Sequence, residues 1–305
     1  MVKPATIDRY DEAVTEDCER LLVTLLRHLG PWKDSIFLVG GLVPRYLVKA
    51  RPPDVAKHAG SGDVDVVIDL QVLASTDAYQ TLEENLKRMG FERGVNPQGN
   101  KVSWRWQRRA ASGMLVLEFL ADDPNIAGGK IQELPAKGTV SALNIPNASM
   151  VFDHHLSHRV TVELLDDAGL ATEIICYADV VTHTCLKAFA FDHRCERKDA
   201  HDLVYCVDNI DGGFDFVASE LISALAGKYA TAVEKALAIL KNRFCDELDA
   251  EGFKKDGPVA VAKFELGESD EPEIREQRTL RQRQVADVVT KLLTAIETKA
   301  TRSKA

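Results

Sequence analysis

"HAGSGDVDVVIDL", residues 58–70, is the stretch on which the reading of this chain turns. A polar turn runs into an apolar segment that carries two carboxylates, Asp63 and Asp65. Successive strand side chains alternate between faces, so residues 63 and 65 share one face and Val64 and Val66 take the other. Like charges side by side repel, and a divalent metal between them is the usual remedy. The competing reading is a polar turn entering a strand, with both carboxylates in solvent. The flanking sequence bears on the choice.

Upstream, "SIFLVGG" (35–41) reads as a short buried strand that runs into Gly40 and Gly41. "LVPRYLV" (42–48) then restarts as a helix, with Pro44 in its first turn. Such a junction offers backbone N–H groups and a positive dipole end to a phosphate, and glycine lets the phosphate come close. A tight turn that simply needs glycine is the alternative. Downstream, "KVSWRWQRR" (101–109) and "GMLVLEFLADD" (113–123) read as two strands joined by a short turn. Glu118 stands among Leu, Val and Phe, where a charge is expensive to bury unless it is paired or metal-bound. A salt bridge to Arg105 or Arg108, or an edge position facing solvent, would also account for it. Asp122 and Asp123 follow as loop residues.

Further out, "DEAVTEDCERLLVTLLRHLG" (11–30) has helical periodicity, with Leu21, Leu22, Leu25, Leu26 and Leu29 on one broad face. "STDAYQTLEENLKRMG" (75–90) reads as a helix with a Ser/Thr/Asp cap and a closing Gly90. Residues from about 139 to 176 suggest strands and loops, and almost everything from 177 onward is helical. The expected division is an α/β half at 1–170 and a helical half at 171–305, an α+β class overall.

Ordered as strand, Gly-Gly turn, helix, acidic pair and later acid, "FLVGGLVPRYLV", "GSGDVDVVIDL" and "LVLEFL" resemble the nucleotidyltransferase fold of the DNA polymerase β superfamily. The resemblance covers about residues 36 to 120. A second segment, "YADVVTHTCLKAFAFDHRCERKDAHDLVYCV" (177–207), resembles the helical signature of AbiEii-like nucleotidyltransferase toxins of type IV toxin–antitoxin systems. That pattern is carried by Lys187, Arg194, Arg197, Lys198-Asp199 and Asp202-Leu203. The long gap between Gly41 and Asp63 suits this group. Where the group often has an arginine four residues before the first aspartate, this chain has Ala59, with His58 beside it; Ser61 keeps the small hydroxyl position.

Without the resemblance, Asp199 and Asp202 are three apart and share a helix face, and Lys187 lies on a neighbouring helix. A lysine beside a triphosphate neutralises charge on departing pyrophosphate, and an aspartate nearby can fix that lysine or take a proton. An interhelical salt bridge from Lys187 to Asp199 accounts for the same residues equally well.

Composition narrows the classes. At 305 residues the chain can hold two domains with proper cores. No apolar run is long enough to span a bilayer, and the N-terminus lacks a signal peptide's apolar stretch. Six cysteines without a CxxC pair read as free thiols in a reducing cytosol. A net charge of −9 argues against broad nucleic-acid coating but leaves room for a local basic cleft. No GxGxxG follows the first strand, against a dinucleotide-binding enzyme. "DHHLSH" (153–158) reads as a loop or solvated hairpin, and Trp104 and Trp106 as the buried face of theirs. The arginines of "REQRTLRQRQ" (275–284) read as a solvated helix face or a grip on an acidic backbone.

The resemblance implies a cytoplasmic, membrane-free nucleotidyltransferase. Asp63, Asp65 and Glu118 would hold two Mg²⁺ ions that clamp an in-line displacement at the α-phosphate. Gly40, Gly41, Ser61, Lys187 and Asp202 would contact the NTP, with Lys187 and Asp199 also catalytic. The helical half would close a cleft over the sheet edge. The acceptor would be RNA, such as a tRNA end, or a protein, and an antitoxin would be a partner. A small-molecule nucleotidyltransferase and a non-catalytic nucleotide-binding module are the alternatives.

Overall fold

The period-two pattern at 63–68 becomes the middle of a sheet. The structure is a computed structural model that describes residues 4–71, 82–96, 98–134 and 140–302; the cap expected at 75–77 lies outside them. Among the described residues nine strands form one mixed sheet: β1 (Ile36–Val39), β2 (Asp63–Ile68), β3 (Glu92–Val95), β4 (Lys101–Ala110), β5 (Gly113–Ala121), β6 (Ile131–Glu133), β7 (Ser141–Asn144), β8 (His155–Glu163) and β9 (Leu170–Ala178). Their order is β3-β4-β5-β2-β1-β9-β8, with β7 pairing both β5 and β6. β2 runs antiparallel to β1 and parallel to β5.

Helix α1 (Glu12–Leu29) begins at Asp11, whose carboxylate accepts from the Ala13 N–H at 2.9 Å. Its apolar face, including Leu21, Leu22, Leu25 and Leu26, is fully covered. Each such leucine contributes about 1.5–3 kcal/mol by leaving water. The sheet face that carries Leu38, Val64, Val66, Leu117 and Phe119 is equally dry, and Arg27 of α1 reaches Glu173 of β9 on that side. The opposite face carries Asp63, Asp65 and Glu118, all half-buried.

The chain divides into two compact units. The first holds Asp11–Val43 and Gly60–Asp179; the second holds Pro44–Ala59 and the chain from Val180 on, with the segment ending at Tyr10. The division falls after Asp179 rather than after 170, because Leu170–Ala178 is a strand paired with both β1 and β8. Residues 44–59 belong with the helices, an assignment that no local pattern in them reveals.

Among the described residues the remaining α-helices are α2 (Pro44–Leu47), α3 (Leu82–Arg88), α4 (Met150–Asp153), α5 (Val180–Arg194), α6 (Arg197–Asn209), α7 (Gly213–Leu225), α8 (Ala230–Phe244), α9 (Asp256–Leu266) and α10 (Pro272–Arg302). Leu203, Val217, Leu221, Phe244, Val261, Phe264 and Val289 form the core of the helical unit. Among the described residues no helix is long and apolar enough to cross a membrane.

Candidate functional site

Strand register brings the acids of the sheet together. Asp65 pairs in register with Glu118 on β5 and with Val39 on β1, and Glu118 pairs with Arg105 on β4. Arg105, Glu118, Asp65 and Val39 therefore form one row across four strands, on one face, at about 4.8 Å per strand. Asp63 lies two residues along β2 on the same face. Gly40 and Gly41 follow Val39 directly.

Asp63 and Glu118 are tethered by polar partners, and Asp65 is packed against a glycine. The Ser61 hydroxyl, in a buried residue, donates to Asp63 Oδ1 at 2.8 Å. Ser61 is itself held by α1: its N–H donates to Thr15 Oγ1 at 3.1 Å. Gly60, at φ +82°, makes the turn that brings the chain there, and a Cβ on it would crowd Thr15. Asp65 lies against Gly40, where an added Cβ would sit 2.9 Å from Asp65 Cγ and closer still to its Oδ2. Glu118 Oε1 meets Arg105 Nε at 3.2 Å, the salt bridge that the sequence left open.

Two expectations change here. The helix after the glycine pair is only a 3₁₀ turn at Gly40–Leu42 followed by the single turn α2, so no long helix dipole points at a phosphate. The missing side chain of Gly40 makes room for Asp65. Arg108, the other arginine offered as a partner for Glu118, is engaged elsewhere: it is 9 % exposed and donates to Asp166 at 2.7 and 3.2 Å and to the Met89 carbonyl. That contact holds the Asp166 carboxyl below the usual carboxylate range.

Asp122 and Asp123 shape turns: Asp122 accepts from Ser149, and Asp123 from Asn125 and the Gln132 amide. Within "DHHLSH", residues from His155 on are strand β8, exposed as expected of a solvated hairpin. Trp106 is buried and Trp104 half-buried on one face of β4.

The helical unit carries its own charge cluster. Lys187 Nζ donates to Asp199 Oδ1 at 3.0 Å and to Asp202 Oδ2 at 2.6 Å, all three side chains being buried. Lys198 reaches both oxygens of Asp202, and His58 Nε2 lies 2.9 Å from Asp202 Oδ1. Arg194 forks onto Asp199. Burial alone would raise the Asp202 carboxyl, but Lys187 and Lys198 outweigh it and hold that carboxyl well below the usual range. Burial lowers His58 to about 4 and His183 to about 3, so both imidazoles are neutral at pH 7. His58 is thus committed to Asp202 as a neutral group and does not supply the positive charge of an arginine.

Sequence reasoning passed over His201, whose Nδ1 lies 3.0 Å from Glu265 and whose Nε2 is buried without a hydrogen-bond partner. Its place beside Asp202 in "KDAHDL" was the available signal. Among the described residues, His58, His201 and Asp202 are the one group of three whose ligand atoms lie within 4.8 Å of one another. Both Asp202 oxygens already carry ammonium groups, so a divalent cation would enter against two positive charges. The carboxylates of Asp63, Asp65 and Glu118 share a face without closing to that spacing.

No protein-family model matches the chain, and no curated protein and no solved structure matches it significantly.

Proposed function

We propose that the chain is a Mg²⁺-dependent nucleotidyltransferase that moves a nucleoside monophosphate from an NTP to a hydroxyl of an RNA or protein acceptor, releasing pyrophosphate. The observation that carries the reading is the row in which Asp65 and Glu118 stand in register, with Asp63 on the same face and the Gly40 turn beside them. Three carboxylates are an all-oxygen donor set of the kind hard cations take, so the residues fit Mg²⁺. Bound there, Mg²⁺ would neutralise charge at the α-phosphate and acidify the attacking hydroxyl. Ser61 aims Asp63, and the absent side chain of Gly40 leaves Asp65 its position. The Gly40-Gly41 turn lies beside the acids and is our candidate for the phosphate tail.

The cluster of Lys187, Asp199 and Asp202 is read as the tie between α5 and α6, since the lysine is spent on two carboxylates. An antitoxin is the partner that a toxin role would require.

A second reading, a small-molecule acceptor, gains from the pairing of the arginines. Arg108, Arg197 and Arg281 are engaged by Asp166, Glu268 and Glu265, and Arg278 by backbone carbonyls. Of the arginines of 275–284, Arg278 and Arg281 are thus held within the chain, which leaves less of that helix face for an RNA backbone. α-Labelled NTPs with Mg²⁺ in a cell extract separate the two: label in RNA or protein, removed by ribonuclease or protease, supports the first. Label confined to small molecules, such as aminoglycosides, establishes the second.

A further inference from the structure

The row of charges ends in a cation whose place needs its own explanation. Arg105 is partly buried, with its side chain 15 % exposed, and among the described residues Glu118 is its one ion-pair partner. That approach is through Nε, in a group that carries five N–H donors. The stem is seated deliberately: a Cβ at Gly94 on β3 would meet Arg105 Cγ at 2.9 Å, so glycine there leaves the arginine its path along the sheet. The β3–β4 register also shifts at this point, between Arg93 and Val95. The Arg105 backbone thus lies two strands from that of Asp65, about 10 Å away, and its side chain is on the face that holds the three acids.

We propose that Arg105 is the phosphate-binding residue of this face and that it exchanges partners: it holds Glu118 until a divalent cation takes that carboxylate, then turns its guanidinium to the phosphate tail of the nucleotide. The proposal rests on the nucleotidyl-transfer reading above and names the residue that meets the phosphates. Glu118 cannot give the same lone pairs to a cation and to Arg105, so the two compete for it. The planar fork of an arginine matches phosphate oxygens, which a lysine meets only as a point charge. Ordered binding follows: divalent cation first, phosphate second.

The test uses the full chain, Mn²⁺ as the metal probe and inorganic triphosphate as the phosphate probe, with binding followed by calorimetry for the parent protein, Arg105→Gln, Arg105→Lys and Asp65→Asn. Arg105→Gln is expected to bind Mn²⁺ alone two- to fivefold more tightly, because the competing cation is gone. With Mn²⁺ saturating, the same variant is expected to bind triphosphate about tenfold more weakly, and Arg105→Lys to fall between. Unchanged triphosphate affinity in Arg105→Gln, with Mn²⁺ binding still lost in Asp65→Asn, overturns the role of Arg105 alone. Mn²⁺ binding that is absent in the parent, or equal in the parent and Asp65→Asn, overturns the acid-face reading and this inference with it.

Discussion

Gly40→Ala is the substitution that most sharply separates a working carboxylate from a decorative one. Gly40 has φ +76°, a conformation that costs alanine about 1–2 kcal/mol. Its new Cβ would sit 2.9 Å from Asp65 Cγ, where carbon atoms at rest keep about 3.5–4 Å. The Asp65 side chain must therefore move by roughly 1 Å, and misplacement on that scale costs on the order of 100-fold in rate. Gly99→Ala is the control: Gly99 has φ +82° but nothing within 4 Å of an added Cβ, so it carries the backbone strain without the collision. The assay is Mg²⁺-dependent pyrophosphate release beside thermal unfolding. Both variants should lose a few degrees in Tm, about 5 °C. Only Gly40→Ala should lose activity. A Gly40→Ala protein that keeps its rate within threefold refutes the assignment of Asp65 to the chemistry.

Lys187→Ala should destabilise the helical unit by about 3 kcal/mol, because it leaves the buried Asp199 and Asp202 each short of a cation, while the folded fraction keeps its nucleotide affinity. An unchanged Tm with lost nucleotide binding would return Lys187 to the catalytic machinery. Acid should weaken the fold early. The unfolded histidines protonate near 6.5, whereas folded His58 and His183 resist until about 4 and about 3. Their contribution is therefore complete above pH 6.5 and is lost as pH falls towards 4, by about 1.4 kcal/mol per pH unit per histidine. Asp202, lowered well below its ordinary 3.8, loses stability in the same direction at still lower pH. Urea midpoints at pH 7, 5.5 and 4.5 check this; a flat profile means that the two imidazoles are not buried neutral.

The sheet acids were legible because period-two alternation fixes which side chains share a face, and a two-residue spacing survives any error in strand boundaries. Glu118 was legible as an anomaly, a charge in a run of Leu, Val and Phe. Its partner was open between Arg105 and Arg108, since choosing requires the β4–β5 register, which long-range pairing sets. The same register sends Arg108 to the opposite face, towards Asp166, 58 residues away in the chain. The role of Gly40 was half legible: the need for glycine was plain, but the atom it makes room for comes from β2. His58 showed least. Its partner Asp202 lies 144 residues away, and nothing local reveals that residues 44–59 leave the sheet unit for the helices.

Transfer from an α-labelled NTP by Asp63→Asn/Asp65→Asn tests the central claim most directly. The amides keep the shape of the carboxylates and remove their charge, so the fold should persist, as circular dichroism would report. In the parent protein, Mg²⁺-dependent label transfer with release of pyrophosphate is expected, and EDTA should abolish it. In the double variant, transfer should fall at least 1,000-fold, about 4 kcal/mol in barrier height. A folded double variant that transfers label at the parent rate, or a parent protein indifferent to Mg²⁺ and EDTA, would contradict the assignment of Asp63, Asp65 and Glu118 as a metal-binding face.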